Sequence, residues 1–266
     1  MPIYIDQMMR KVEIAPTPLR IISLVPSQTE LLYDLGLNVE VVGITKFCIH
    51  PKHWLKEKNI VGGTKQLNHQ KIESLKPDLI IGNKEENSKA DIEILMQKYP
   101  VWMSDINTLE DALQMIESIA NITQTNQKCK QLIDIINQEF EFLPQANQSK
   151  KRIAYFIWNK PMMVAGKENF INHLLTKLGF ENVFANQLLS PQISYRYPQI
   201  TTTELAAAAP DIIYLSSEPF PFKEKHIQQF KSLCPKAEIK IVDGEMFSWY
   251  GSRLALAPSY FKTLRP

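Results

Sequence analysis

Short, mostly apolar runs alternate along this chain with stretches whose apolar residues recur every three or four positions. The runs are Arg20-Ile-Ile-Ser-Leu-Val25, Val39 to Ile44, Leu79 to Ile81, Arg152-Ile-Ala-Tyr-Phe-Ile-Trp158, Ile212 to Leu215 and Ile239 to Val242. A strand is apolar on both sides only where both faces of its sheet are covered, so these runs predict buried strands of a parallel sheet. Helical spacing lies between them. Leu31, Leu32 and Leu35 lead up to Gly36, Ile72 to Leu75 and Leu109 to Ala120 follow, Phe170 to Leu178 is closed by Gly179, and a last helix begins after Ser252. Ser27 with Glu30 three residues on reads as a capping box for the first helix. The longest helix runs from Asn126 to Leu143, with Cys129, Leu132, Ile133, Ile136, Phe140 and Leu143 on one face. At 1.5 Å per residue it spans about 27 Å, enough to bridge two bodies. Val12 to Ile14, just before Pro16 and Pro18, predicts a short edge strand.

One phrase occurs twice. Leu75-Lys-Pro-Asp-Leu-Ile-Ile-Gly82 returns as Ala208-Ala-Pro-Asp-Ile-Ile-Tyr-Leu215, and in each copy a glutamate, Glu85 or Glu218, follows seven residues after the aspartate. A helix that ends at Pro-Asp and opens a buried strand is the αβ joint of a parallel sheet. Two joints about 130 residues apart predict an α/β fold of two similar parallel-sheet lobes joined by one long interlobe helix, with a ligand cleft between them. The expected divisions are 1–124 for the N-terminal lobe, 125–146 for the helix and 147–266 for the C-terminal lobe. Each lobe is large enough to bury its own core.

Composition narrows the function. The 266 residues carry 30 basic and 28 acidic side chains, a formal charge of +2. No run of Lys/Arg interleaved with aromatics marks a nucleic-acid partner. Three cysteines, Cys48, Cys129 and Cys234, are too far apart for a C-x-x-C site and predict no disulfide framework. The first eleven residues have charges where a signal peptide needs an apolar stretch, and neither a lipidation motif nor a membrane-length apolar run occurs. The expected location of the chain as written is therefore the cytoplasm, or the periplasm or cell surface if a leader has been removed. A monomer is expected.

Asp6-Gln-Met-Met-Arg-Lys-Val-Glu-Ile14, Pro18-Leu-Arg-Ile-Ile-Ser-Leu-Val-Pro-Ser-Gln-Thr-Glu-Leu31, Leu75-Lys-Pro-Asp-Leu-Ile-Ile81 and Arg196-Tyr-Pro-Gln-Ile200 resemble the cobalamin- and iron-chelate-binding proteins of ABC importers, across nearly the whole chain. The resemblance implies two α/β lobes on a rigid helix, no catalysis and no cofactor, and a corrinoid, haem or siderophore as ligand. It places Phe47 and Tyr197 at aromatic cleft positions, and Thr64 and Asn83 where the family's cobalamin binder has tryptophans. It also implies docking on an ABC permease through one glutamate per lobe. Gln70 and Thr203 stand at those positions, with Glu73 and Glu204 nearby.

In an α/β lobe the ligand-facing rim is built from loops at the carboxyl ends of the strands. Here those loops hold Trp158, Phe220, Phe222, Phe247, Trp249 and Tyr250, while Tyr195 and Tyr197 lie in the family-like segment. Flat rings suit a flat macrocycle, because stacking supplies area without a hydrogen-bond pattern. The alternative for each ring is packing between elements. Cys48-Ile49-His50 places a thiol and an imidazole two residues apart, on one side of an extended loop. That is too few ligands for a zinc site, so no metal site is expected. Cys48 as a buried small side chain and His50 as a hydrogen-bonding loop residue remain the other reading, and an enzyme using the pair in the cleft is the rival function. Arg196, Arg253 and Lys65 suit acidic groups of a ligand, or a salt bridge from an arginine to Glu218 or Glu245. Glu85 and Glu218 also fit helix N-termini. The expected ligand-binding residues are thus Phe47, Cys48, His50, Lys65, Trp158, Arg196, Tyr197, Glu218, Phe247, Trp249, Tyr250 and Arg253. The expected function is non-catalytic binding of a metal chelate, for an ABC importer or in a cytosolic carrier or sensor.

Overall fold

The computed structural model describes residues 1–143, 151–185 and 195–264. The chain divides into two units. The first holds Met1–Ile106, Glu110–Gln138 and Trp249–Ala255, and the remaining described residues belong to the second.

In chain order the first unit contains β1 (Ile3–Ile5), β2 (Lys11–Glu13), β3 (Ile21–Ser23), α1 (Pro26–Asp34), β4 (Val41–Ile44), α2 (Trp54–Glu57), β5 (Asn59–Ile60), β6 (Gly62–Gly63), β7 (Gln66–Leu67), α3 (His69–Leu75), β8 (Leu79–Asn83), α4 (Lys89–Met96) and β9 (Val101–Ser104). Most of α5 (Leu109–Thr123) and of α6 (Asn126–Glu141) completes it. Five strands form a parallel sheet in the order β5-β4-β3-β8-β9. Every residue of β3, β8 and β9 is buried, as expected of parallel strands covered on both faces.

The repeated Pro-Asp phrase has a shared structural cause. The Asp78 carboxylate accepts from the backbone N–H groups of Leu19 and Arg20, both at 2.8 Å, and Arg20 Nε returns a bond to Leu75 O at 2.7 Å. In the second unit Asp211 accepts from Arg152 N at 2.8 Å, and Arg152 Nη1 donates to Ala209 O at 3.0 Å. Each aspartate thus clasps the first strand of its sheet to the helix end before the second. Both helices end on a left-handed residue, Lys76 at φ 44° and Ala209 at φ 41°, which frees the backbone to turn directly into the strand.

The amino-terminal strands pair with each other as an antiparallel hairpin, and their turn covers the open edge of β9. Met103 N donates to Asp6 Oδ2 at 3.3 Å, Gln7 N to Met103 O at 3.1 Å and Arg10 Nη2 to Val101 O at 3.2 Å. An uncovered edge would invite pairing with another chain.

The second unit continues with β10 (Arg152–Trp158), β11 (Met163–Val164), α7 (Phe170–Lys177), β12 (Glu181–Asn182), α8 (Thr202–Ala208), β13 (Ile212–Ser216), α9 (Glu224–Leu233), β14 (Glu238–Val242), α10 (Glu245–Ser248) and α11 (Ala257–Leu264). Its sheet runs β11-β10-β13-β14, with β12 also against β10. Pairing is parallel except for β11. Ala154, Phe156, Ile213, Leu215 and Phe230 share one buried cluster, and Tyr155, Tyr214, Phe247 and Phe261 form a chain of ring contacts beside it.

Three expectations are corrected. Helix α1 has Val25 as N-cap and Pro26 in its first turn with no side-chain cap, so Ser27 and Glu30 form no capping box. Neither Glu85 nor Glu218 begins a helix, since α4 and α9 start at Lys89 and Glu224. Residues 249–255, expected in the C-terminal lobe, pack with the first unit. The expected extension of the long helix to 146 runs partly into residues outside those described.

Candidate functional site

In each sheet the strand order reverses beside the first strand, and ligands of open α/β sheets bind at the carboxyl ends at such a switch point. In the first unit it falls between β3 and β8. There the side chains are amides and hydroxyls. Gln28 Nε2 donates to Ser104 Oγ at 2.6 Å, and Asn83 Nδ2 to the same oxygen at 2.9 Å. Asn87 Nδ2 reaches Leu24 O at 3.3 Å and Thr64 O at 3.1 Å, while Asn87 Oδ1 accepts from Asn83 N at 2.8 Å. Asn83 Oδ1 accepts from Glu85 N and Glu86 N, at 2.8 and 3.1 Å. The four side chains, Gln28, Asn83, Asn87 and Ser104, are buried. They tie three loops together, where the resemblance implies tryptophans at Thr64 and Asn83. Lys65 completes the tie by donating to Glu85 O and, at 3.4 Å, to Asn87 O, so its ammonium is already engaged by carbonyls.

The loop after β4 presents Phe47, which is 51% exposed with Lys46 Nζ 5.1 Å from its ring centre. Cys48 behaves otherwise. It is fully buried, its sulfur 3.0 Å from Thr29 Oγ1 and 3.2 Å from Thr45 Oγ1. Burial pushes its thiol pKa up against the pull of those two hydroxyls. A thiol so buried and held protonated is a poor nucleophile, which removes the basis for the enzyme reading of Cys48 and His50. His50 is half-buried and sits edge-on to Trp249, ring centres 5.4 Å apart.

The segment 249–255 builds a compact cluster within the first unit. Arg253 forks onto Glu30, Nε to Oε2 at 2.9 Å and Nη2 to Oε1 at 2.5 Å, and its guanidinium lies 4.9 Å from the Trp249 ring centre. A Cβ on Gly251 would stand 2.5 Å from Ser27 O, so only glycine permits this approach. Burial raises the Glu30 pKa, with the hydrogen bonds and charge of Arg253 pulling it back. Arg253, expected to answer a ligand's acid, is matched instead by Glu30. Trp249 and Tyr250 are 5% and 7% exposed, serving this cluster more than an open rim.

The switch point of the second unit, between β10 and β13, is aromatic. Trp158 closes β10, is 37% exposed and donates from Nε1 to Lys160 O at 3.1 Å. Phe220, in the loop after β13, meets it edge-on at 5.6 Å and is backed by Phe222 at 4.8 Å and His226 at 5.4 Å. Glu218 accepts from Ser248 Oγ at 2.6 Å. Phe247 is fully buried among Tyr155, Tyr214 and Phe261, a core side chain and not the ligand contact expected of it. Arg196 and Tyr197 lie in a stretch stitched to the loop after β11, with Gly166 N donating to Arg196 O and Lys167 N to Tyr195 O, both at 2.8 Å. Both side chains are half-buried.

The structure therefore keeps Phe47 and Trp158 on exposed rims, takes Cys48 and Phe247 into the interior, and pairs Arg253 and Lys65 internally. Phe220, a rim ring left out of the expected set, is identified by its place after the second Pro-Asp strand. Among the described residues no three His, Cys, Asp or Glu side chains are grouped to hold a metal ion, and no helix is long and apolar enough to cross a membrane.

Residues 21–233 match the family described as periplasmic binding protein. The vitamin B12-binding protein of Vibrio parahaemolyticus is 26% identical over 200 residues, covering 74% of this chain and 70% of that protein. A possible iron-binding periplasmic solute-binding protein from Staphylococcus epidermidis superposes with a TM-score of 0.73 at 25% identity, covering 94% of this chain and 98% of that one. The periplasmic heme-binding protein RhuT of Roseiflexus has a TM-score of 0.77 at 17% identity, over 92% and 99% of the two chains; at that identity it shows a shared fold alone.

Proposed function

Because the chain belongs to the periplasmic binding protein family, and is thus a binding protein and not an enzyme, we propose that it binds a metal chelate, either a corrinoid, haem or a ferric siderophore, on the carboxyl-end rims of its sheets. The observation that carries this reading is the Trp158–Phe220 pair at the switch point of the second sheet. A half-exposed indole held by its own Nε1 bond, beside a Phe220 ring that is itself backed by Phe222 and His226, is a ready stacking surface, and its area needs no polar match from the ligand. The chelate is cargo, and no resident cofactor is required. On the first unit, taken by itself, Phe47 is also an exposed rim ring. The polar loops of that unit argue against cobalamin held as the family's cobalamin binder holds it, and favour a related chelate.

The companion proposal is delivery of the ligand to an ABC permease outside the cytoplasmic membrane. Gln70 and Thr203 are exposed on the first turns of α3 and α8, as docking residues would be. The neighbouring acids are occupied: Glu73 pairs with Lys98 at 3.0 Å, and Glu204 accepts from Thr201 N and Oγ1 in a capping box. Docking through Gln70 and Thr203 would then rest on uncharged contacts, and a carrier or sensor independent of a permease is the second reading that the engagement of Glu73 and Glu204 favours.

Titration of the purified chain with haemin, cyanocobalamin and ferrichrome, followed by tryptophan fluorescence and absorbance, tests the first proposal. Binding of one probe below about 1 μM, with a loss of roughly tenfold or more in Trp158→Ala, is expected. No probe bound more tightly than about 100 μM, roughly −5.5 kcal/mol, would end it.

A further inference from the structure

We propose that Phe47 and Ile49 form a two-point apolar grip on the ligand, with Ile49 selecting chelates that present hydrocarbon, not charge or hydrogen-bonding groups, at that point; this rests on the chelate-binding reading above. Ile49 N donates to Phe47 O at 2.9 Å, which closes a three-residue turn with Cys48 at its centre. The turn puts the central side chain on one side and its two neighbours on the other. Cys48 goes inward to the Thr29 and Thr45 hydroxyls, so Phe47 and Ile49 go outward, 51% and 40% exposed.

Neither side chain can fold back. The Cys48 side chain is taken up by the two threonine hydroxyls, and the backbone on the approach is fixed by Lys46 N to Gly62 O at 2.9 Å and Cys48 N to Thr45 O at 3.1 Å. Gly63 lies under the Phe47 ring, where an added Cβ would come within 3.2 Å of Phe47 Cε2. A single exposed apolar side chain is ordinary on a protein surface. Two held outward by one buried anchor, on the loop that leaves the carboxyl end of β4, have the rigidity of a prepared contact. Phe47 offers a ring for stacking, while Ile49 offers only methyl and methylene groups, so a polar substituent brought against it would lose its water without gaining a partner.

The full chain and its variants Ile49→Asp and Ile49→Ala would be titrated with haemin, cyanocobalamin and ferrichrome, with a thermal melt of each as a folding control. For any probe the wild-type chain binds, the aspartate is expected to weaken binding by about tenfold or more and the alanine by about threefold, with melting within about 2 °C of wild type because the side chain is exposed. Should the aspartate variant fail to fold, the alanine variant decides. Unchanged affinity in the folded variants overturns the grip alone. A wild-type chain that binds no probe overturns the chelate reading and the grip with it.

Discussion

Replacing Arg253 by Met keeps the length of the side chain and leaves Glu30 without its partner. The side chains of the pair are only 9% and 14% exposed, so Glu30 cannot turn to water. Breaking a buried ion pair by removing one partner costs about 3–5 kcal/mol, and loss of the guanidinium over Trp249 adds about 0.5–2 kcal/mol. The residual exposure and the packing retained by methionine place the total near the low end, about 3 kcal/mol. For units of this size that lowers the melting temperature by about 6–12 °C. The deficit should depend on pH. Burial already lifts the native Glu30 pKa above its ordinary value of 4.5, so the native state holds that proton more tightly than the unfolded chain, and stability falls as pH rises from 4.5 through the native value. Without Arg253 the native value climbs further, the interval widens upward, and the variant should recover stability relative to wild type as pH is lowered from 7 toward 5. Urea denaturation and thermal melts of wild type, Arg253→Met, Glu30→Gln and the double variant would measure this. Since the double variant holds no stranded charge, it should regain most of the loss. A single-variant loss under about 1 kcal/mol, the worth of an exposed pair, or a double variant no better than the single one, would refute the reasoning.

The cysteines should be inert in the native state, because burial raises the thiol pKa of Cys48, Cys129 and Cys234; Ellman's reagent should label all three in denaturant and almost none before it, and fast labelling of Cys48 would contradict its place between two threonines. Ala209→Gly removes a Cβ from a left-handed residue and should stabilise the chain by about 1 kcal/mol, read as a higher urea midpoint. Asp6→Ala unties the hairpin turn from β9 and should both destabilise the chain, by about 2–3 kcal/mol, and promote aggregation in light scattering. Gly166→Ala would bring a Cβ within 2.3 Å of Tyr195 O and should lower the urea midpoint; an unchanged midpoint would contradict that close approach.

The fold was readable because its cause is local. A run such as Leu79–Ile81 is apolar on both sides only under two covered faces, and the glycines after α1 and α7 take φ 89° and 85°, as helix ends read from sequence demand. Strand β9, four residues ending in Met103 and Ser104, is not legible in the sequence because four residues are too few to show a period. The rim was harder. At Cys48 a three-residue turn breaks the alternation of an extended chain, so the residue expected to face the ligand goes inward and its neighbours come out. Glu30 and Arg253 lie 223 positions apart, and no local pattern joins them; next to Ser27, Glu30 looks like a capping residue. Phe247 and Trp158 are both aromatics after a strand, and only packing distinguishes the core ring from the exposed one.

The twin aspartate clasps bear on how such a protein can change. Asp78 and Asp211 fasten each pair of central strands at the amino end, with bonds that run from side chain to backbone and return through Arg20 and Arg152. Rim residues such as Ile49, Trp158 and Phe220 sit at the opposite end of the strands and contribute nothing to that fastening. Under the proposed ligand-binding reading, exchanging them would alter what is recognised while the strand register stays pinned, which would make the molecule a chassis on which new cargo specificities can be grafted loop by loop, in evolution or by design.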